Sequence, residues 1–353
     1  MNINIEKRLV ASNIWQIGSV VIALAASGVV CALLLLTAGA DIWQAFAALW
    51  DGAFGDWRAT WKTLIKATPL ILTGVAVSVA FRARIWNIGA EGQLYAGAMM
   101  SYWLYTSVGP LPLPILIPLL FVAGALGGGL CGGLAGYLSA KYRVNEILTT
   151  VMMNYIIHYL VSYLLVGPWR DPSQFVLQSP KIDSDALLPF VLPATRLHLG
   201  FPIAVAVAII TYFVITKSSL GYEIRAVGMN KLASRFKGIR IERTIITAML
   251  ISGAVAGLAG VIEVFGVHAR MKPDISLGFG FTGIIIAVIA LLNPIAVIFV
   301  AILFGGFVNG GIKLQVATGV PSTMTDAIQA IILIFFLTAA VLARYKIVFE
   351  AKQ

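Results

Sequence analysis

The chain has 353 residues, of which 59% are hydrophobic and 11% charged, with a formal net charge of +10 and a mean hydropathy of +0.93. An ordinary soluble domain carries about 25% charged residues, and a soluble particle of this size cannot hide so much apolar surface. A soluble enzyme, a basic nucleic-acid binder and a disordered chain are excluded, so an all-α polytopic membrane protein is expected.

Apolar runs of about 20 residues, the length that spans a bilayer, predict the elements. Lys7 and Arg8 precede an apolar stretch, Gly18 to Leu36, that looks like a signal peptide but is long enough to span. A retained first span over 17–38 is expected. Residues 41–61 hold Trp43, Phe46, Trp50, Phe54, Trp57 and Trp61, and suit an amphipathic helix lying in the interface. Spans two to five follow at 64–81, 88–107, 113–139 and 146–166, with a polar break from Arg82 to Trp86. A long polar loop, 167–199, carries Pro168, Pro172, Pro180, Pro189 and Pro193. Span six covers 200–216, and the charged stretch 217–243 leads to span seven at 244–265. Residues 276–311 divide at Asn293-Pro294 into spans eight and nine, and span ten covers 325–343. The whole of 1–353 is expected to form one transmembrane domain.

Charge sets the orientation. With the N-terminus inside, 16 of the 25 cations face the cytoplasm: Lys7, Arg8, the pairs Arg82/Arg84 and Lys141/Arg143, seven in 217–243, and Arg344, Lys346 and Lys352. Five acids oppose them, whereas nine cations balance nine acids outside. This asymmetry satisfies the positive-inside rule. Ten spans with both termini cytoplasmic fit every loop, and make 167–199 extracytoplasmic. Asn87-Ile88-Gly89, opening span three, echoes Ser276-Leu277-Gly278, opening span eight. If spans 2–5 match spans 7–10, the two units form an inverted repeat.

Glu91 is the one carboxylate within a span. It sits in Asn87-Ile88-Gly89-Ala90-Glu91-Gly92-Gln93, where two glycines permit an unwound backbone. A charged side chain at the bilayer centre costs roughly 2.5–3.5 kcal/mol on insertion scales, so it faces protein or water. Two readings stand: a midplane site, or simple capping of span three by Asn87 with Glu91 in its first turn. On span five, Glu146, Thr150, Asn154, His158 and Ser162 recur every four residues and form one slanting polar stripe. Such a stripe suits the wall of a hydrated pathway for a neutral polar solute; interhelical packing and capping are the alternative.

The segment 217–243 reads as two short helices, the first ending at Gly228, the second capped by Asn230 and closed by Gly238. Leu232 and Phe236 share a face, with Lys231, Arg235 and Lys237 around it, which favours docking into a partner's groove. Glycines 124, 127, 128, 129, 132, 133 and 136 in span four permit close helix packing. Cys31 and Cys131 lie in apolar runs and the three histidines are scattered, so no disulfide framework, zinc spacing or haem signature exists. There is no zinc-protease, nucleophile-elbow or Gly-rich phosphate-loop motif. No catalytic role and no cofactor of its own are expected.

Together these residues resemble the permease subunits of bacterial ABC importers, in the superfamily that carries ribose, branched-chain amino acids and nucleosides. Asn87 to Gln93 is similar to the Asn-Ile-Gly-x-Glu-Gly-Gln motif of its nucleoside or simple-sugar branch. Val144 to Ile156 is similar to that branch's Asn-Glu-…-Met-x-Asn-Tyr signature, and Gly221 to Gly238 to the loop that docks on the ATPase. The resemblance runs from about residue 60 to 343. It implies a non-enzymatic translocation subunit of the cytoplasmic membrane, most of all for a nucleoside, with a simple sugar or branched-chain amino acid as alternatives. It also implies a separate ATPase subunit holding ATP and Mg, a second and homologous permease chain, and an extracytoplasmic solute-binding protein. Membrane lipid surrounds the chain, and no nucleic acid is involved. Asn87, Glu91, Gln93, Thr150, Asn154 and His158 become the pathway residues. Gly221, Glu223, Arg225, Gly228, Asn230, Leu232, Phe236 and Gly238 become the coupling residues. A stand-alone secondary transporter is the competing class, motivated by Glu91, His158 and the inverted repeat.

Overall fold

The computed structural model describes residues 2–7, 13–109, 111–191, 195–342 and 345–350. Arg8, Pro193, Arg344, Lys352 and the last residue of span ten, named above, lie outside the described residues. Each predicted span meets a helix: α1 (Asn13–Thr37), α2 (Ile42–Phe54), α3 (Trp57–Arg82), α4 (Ala90–Val108), α5 (Leu113–Tyr142), α6 (Glu146–Val166), α7 (Gly200–Lys217), α8 (Ser219–Met229), α9 (Lys231–Phe236), α10 (Ile241–Ile262), α11 (Phe279–Ile289), α12 (Pro294–Thr318) and α13 (Ser322–Leu342). Two short strands, β1 (Asn2–Lys7) and β2 (Tyr345–Glu350), pair antiparallel, which an all-helical expectation omits.

Six described helices are long and apolar enough to cross a membrane: α3, α5, α6, α7, α10 with its extension to His268, and α12. The pair α1 and α2, bent by 118°, makes a seventh if taken as one span. Three of the ten predicted spans fall short on length or composition, among them α13, whose apolar stretch Thr323–Ala339 is under 18 residues. The α11 helix has 11 residues, and α4 opens on the polar run Glu91-Gly92-Gln93.

The chain divides into two compact units, one formed by residues up to Thr63 and from Gly306 on, the other by Leu64–Gly305. In the first, α1 packs on α13. Asp41 caps α2 by accepting the Gln44 N–H at 2.8 Å, and α2 buries Ala45, Ala48, Gly52 and Ala53 on one face while Trp43 and Trp50 stay exposed. A helix therefore forms within 41–61, but it is shorter than that stretch. It stops at Phe54 because Asp56 accepts the Ala59 N–H and starts a new helix, so Trp57 and Trp61 belong to α3.

In the second unit the core is a close crossing of α5 on α10. A Cβ added at Gly128 would lie 2.2 Å from the Gly253 carbonyl oxygen, and one at Gly257 2.2 Å from that of Gly124. Only glycine permits this approach, in which backbone atoms of the two helices touch. Loops that the charge rule assigns to one side meet one another. Beside the start of α10, Arg82 donates to the Leu292 carbonyl at 2.9 and 3.0 Å, and the Thr244 hydroxyl lies 3.4 Å from the Glu223 carboxylate. At the other end of α10, Asp171 pairs with Arg270 at 3.1 Å, and the Ser179 N–H donates to the Met271 carbonyl at 2.9 Å. Hydrogen bonds from Ser173, with Arg270 beside it, hold the Asp171 carboxyl below the usual carboxylate range. Between α10 and the following loop, Glu263 to His268 widens into a π turn.

Candidate functional site

The polar groups of unit two gather where α4 and α11 begin. Residues 83–89 leave the end of α3 without forming helix, and Arg84 takes a left-handed φ of 54°. Asn87 organises the segment. Its Oδ1 accepts the Gly89 N–H at 2.9 Å, closing a local turn, and also accepts Gln93 Nε2 at 3.0 Å. Its Nδ2 donates to Gln93 Oε1 at 2.9 Å and to Ser252 Oγ on α10 at 2.8 Å. The Ser252 hydroxyl in turn donates to the Ala76 carbonyl of α3 at 2.6 Å. Asn87 is fully buried and Gln93 nearly so, and Asn87's amide makes two donated and two accepted bonds.

The α6 helix splints the same break. Asn154 donates Nδ2 to the Ile88 carbonyl at 2.9 Å and accepts the Gly92 N–H on Oδ1 at 2.8 Å. The Thr150 oxygen accepts the Ile88 N–H at 3.3 Å. A Cβ on Gly92 would lie 2.7 Å from the Asn154 Cα, so a side chain there would push α6 away. Thr150 and Asn154 are buried. Farther along the stripe, His158 is half-buried with its ring edge-on to Tyr95 at 5.4 Å. Ser162 turns back to the His158 carbonyl at 3.0 Å, and Glu146, partly exposed, starts the helix.

Glu91 reaches across to the start of α11. Its Oε2 accepts the Gly280 N–H, in the first turn of α11, at 2.7 Å. A Cβ on Gly280 would fall 2.2 Å from the Glu91 nitrogen, so the first turns of α4 and α11 are in contact. Both helices therefore point their N-terminal, partially positive ends at one place, with a carboxylate between them. Neighbouring groups hold the approach to α11: Tyr95 donates its hydroxyl to the Pro273 carbonyl at 2.6 Å, and Thr73 donates to the Phe279 carbonyl at 3.0 Å. The structure thus brings Asn87, Glu91, Gln93, Thr150 and Asn154 to the α4 start, with His158 reached through Tyr95. Ser252, Tyr95, Thr73 and Gly280 complete the cluster but carry no sequence signal beyond single polar or small residues in apolar helices. Ser276, which accepts the Phe279 N–H at 3.0 Å, stands in the tripeptide that echoes Asn87-Ile88-Gly89. Among the described residues no group of His, Cys, Asp and Glu is placed to hold a metal ion.

The second predicted constellation lies beside the start of α10. Ser218 caps α8 by accepting the Gly221 N–H at 3.1 Å, and Asn230 caps α9 by accepting the Ala233 N–H at 3.1 Å. Ile224 and Val227 of α8 are buried in a core with Val79, Ala83, Ile245 and Met249. Arg225 donates to the Thr216 carbonyl at 3.4 Å, and Glu223 meets Thr244. Gly228 is not the predicted helix stop: α8 continues to Met229, and Gly228 lies inside it. A Cβ there would come within 1.9 Å of the Arg82 carbonyl oxygen, so glycine is needed for contact with the end of α3. Gly238, with φ of +79°, does end the segment after α9. Leu232 and Phe236 of α9 are 71% and 92% exposed, although both are apolar.

The starts of α4 and α11 meet among apolar helices, and the α8–α9 segment is seated in the core and tipped with exposed apolar residues, features that accord with a membrane permease subunit. The chain belongs to the family described as the branched-chain amino acid transport system permease component, whose model matches residues 60–337. It is 38% identical over 309 residues to a guanosine ABC transporter permease protein of Bacillus subtilis (strain 168), covering 86% of this chain and 88% of that one. A glucose ABC transporter permease protein of Haloferax volcanii is 32% identical over 339 residues, covering 93% and 88%. A nucleoside ABC transporter permease protein of Lactococcus lactis subsp. cremoris is 29% identical over 314 residues, covering 86% of each. The chain is accordingly an ABC transporter permease and a multi-pass protein of the cytoplasmic membrane.

Proposed function

We propose that the chain is the translocation subunit of an ATP-driven nucleoside importer. The observation that carries the coupling is the contrast within 217–243: α8 is anchored by buried Ile224 and Val227, while α9 exposes Leu232 and Phe236. An apolar pair left in water on a firmly seated element is a docking tip. Its partner is a separate ATPase subunit, which holds ATP and Mg. Motion there reaches the end of α3 through Gly228, and α10 through Glu223 and Thr244. A second, homologous permease chain and an extracytoplasmic binding protein complete the importer. In this reading the termini are cytoplasmic and α8 and α9 lie on the ATPase side.

The translocation path runs past the opposed starts of α4 and α11. Asn87, Gln93, Thr150 and Asn154 there bond to one another and to backbone, and Glu91 bonds to Gly280. Opening the two starts frees amides and a carboxylate that match the hydroxyls and ring nitrogens of a nucleoside. His158 and Tyr95 add aromatic edges beside them. Two relatives named for guanosine and nucleoside transport support this substrate. A simple sugar is the second reading, favoured by the similarity to the Haloferax glucose permease. Uptake by the reconstituted assembly, competed with panels of nucleosides, pentoses, hexoses and branched-chain amino acids, tests it. Nucleosides are expected to compete most strongly; competition by hexoses or by branched-chain amino acids with none from nucleosides would overturn the substrate.

A further inference from the structure

We propose that the corner joining α2, α3 and α12 in the first unit binds the phosphate headgroup of an anionic phospholipid. A cavity of about 320 Å³ opens there, lined by Asp51, Arg58, Lys62, Ile312, Lys313 and Val316 among others. Its floor is built rather than accidental. Asn309 of α12 donates Nδ2 to the Gly52 carbonyl at 2.7 Å and the Ala59 carbonyl at 3.1 Å, and Thr63 donates to the Ala53 carbonyl at 2.7 Å. A Cβ on Gly52 would sit 2.8 Å from the Gly310 Cα, so α2 and α12 touch beneath the cavity.

The charges in this cavity are not balanced internally. Lys313 pairs with Asp51 at 3.7 Å and Asp56 caps α3 by accepting the Ala59 N–H, so the three cations Arg58, Lys62 and Lys313 face two carboxylates and the lining keeps a net positive charge. Arg58 and Lys62 lie four residues apart on one face of α3, both exposed, and among the described residues neither enters an ion pair. They sit in the first two turns of α3, where the helix dipole also favours an anion. A single phosphate complements them.

The edges of the cavity select the source of that phosphate. Ile312 and Val316, one turn apart on α12, line it and are 53% and 82% exposed. Trp50 and Trp57, next in the chain to the lining residues Asp51 and Arg58, are 65% and 66% exposed, and exposed tryptophans of this kind favour headgroup depth. A free phosphate ion or a phosphorylated solute would use the cations and leave these apolar groups uncovered. A phospholipid covers both, with its phosphate on Arg58 and Lys62 and its acyl chain along Ile312 and Val316. This inference does not depend on the transported substrate.

The test is titration of the delipidated full chain in detergent with phosphatidylglycerol or phosphatidylcholine, followed by native mass spectrometry. Phosphatidylglycerol is expected to bind in preference, and excess inorganic phosphate to leave it bound. The double change Arg58→Gln with Lys62→Gln is expected to weaken the tightest phosphatidylglycerol by about 25-fold, about fivefold per cation near an anionic surface. The charge-keeping pair Arg58→Lys with Lys62→Arg retains it, which separates loss of charge from loss of fold. Lys141→Gln with Lys217→Gln, on cations outside the cavity, leaves it unchanged. Equal affinity of the Arg58→Gln, Lys62→Gln chain would overturn the site. Displacement of the lipid by inorganic phosphate would instead make it a site for soluble phosphates and overturn the lipid assignment.

Discussion

The break at the start of α4 and the segment formed by α8 and α9 are opposite solutions to placing residues against their surroundings. At the break, polar side chains are buried in an apolar protein and both polar atoms of the Asn87 side chain are bonded. On α9, apolar side chains are exposed and touch little. Buried amides without partners are costly, so the first region is held by its own internal bonds. Exposed Leu232 and Phe236 contribute almost nothing to the isolated chain, so their value lies in a partner. Substitutions at the break should therefore reach stability first, and substitutions on α9 should reach transport alone.

The largest effect is expected from Asn87→Ala. It strips partners from Gln93, from the Gly89 N–H and from Ser252, each a buried group worth about 1–3 kcal/mol when left unsatisfied. A loss of about 3 kcal/mol or more should appear as a lowered thermal midpoint of the purified chain and a poor yield of folded protein. An unchanged midpoint would mean that water replaces the amide and that the break is wetter than its burial indicates. Next is the pair Leu232→Asp with Phe236→Asp. Central apolar residues at interfaces commonly carry about 2 kcal/mol or more, so ATP-dependent uptake should fall at least about tenfold per side chain. Thermal stability of the chain alone should stay within about 0.5 kcal/mol, as for exposed sites away from structural features. Uptake that persists with both aspartates in place would remove α9 as the docking tip.

Gly228→Ala tests the border between the two regions, because this glycine belongs to the coupling segment yet is buried like the break. Its new Cβ would run into the Arg82 carbonyl oxygen. Overpacking of this kind costs about 1–3 kcal/mol, so midpoint and uptake should fall together. A loss of uptake with an unmoved midpoint would mean that α8 shifts without strain, as a loosely held lever.

How much of this was legible beforehand follows from the range of each interaction. The α6 helix is predicted at 146–166 and found at Glu146–Val166, because Asn145 caps it locally and Gly167 follows its apolar run. The α2 helix is shorter than predicted because one aspartate, Asp56, restarts the chain, and an aromatic run does not reveal that. Span eight begins three residues later than the predicted 276, at Phe279, because Gly278 takes a left-handed φ of 80° and the Ser276 hydroxyl accepts the Phe279 N–H, so 276–278 forms the entry to the helix and not its first turn. Gly228 looks like a stop by local rules, and only the nearby end of α3 shows why the position has no side chain. Asn87, Glu91 and Asn154 stand out in sequence because polarity is rare in apolar helices. Their partners do not: Gly280 is 189 positions from Glu91, and Ser252 is 165 from Asn87.

The smallest effect expected is that of Glu91, and it separates two contributions that the structure superimposes. The carboxylate bonds the Gly280 N–H at 2.7 Å, and it also lies between the N-terminal ends of α4 and α11. Glu91→Gln keeps an oxygen for Gly280 and removes the charge; Glu91→Asp keeps the charge and, being one methylene shorter, gives up the contact. A charge at a helix N-terminus contributes about 0.3–1 kcal/mol and up to about 2 kcal/mol when partly buried, whereas a single retained hydrogen bond contributes about 1 kcal/mol. With two helix ends facing one carboxylate, the charge should outweigh the contact, and Asp should preserve the thermal midpoint better than Gln by about 1 kcal/mol. The reverse order would make Glu91 chiefly a hydrogen-bond acceptor that joins the starts of α4 and α11. In that case the Gln chain should retain uptake of a neutral nucleoside with little change in KM, and the break would resemble the rest of its network, held by neutral bonds throughout.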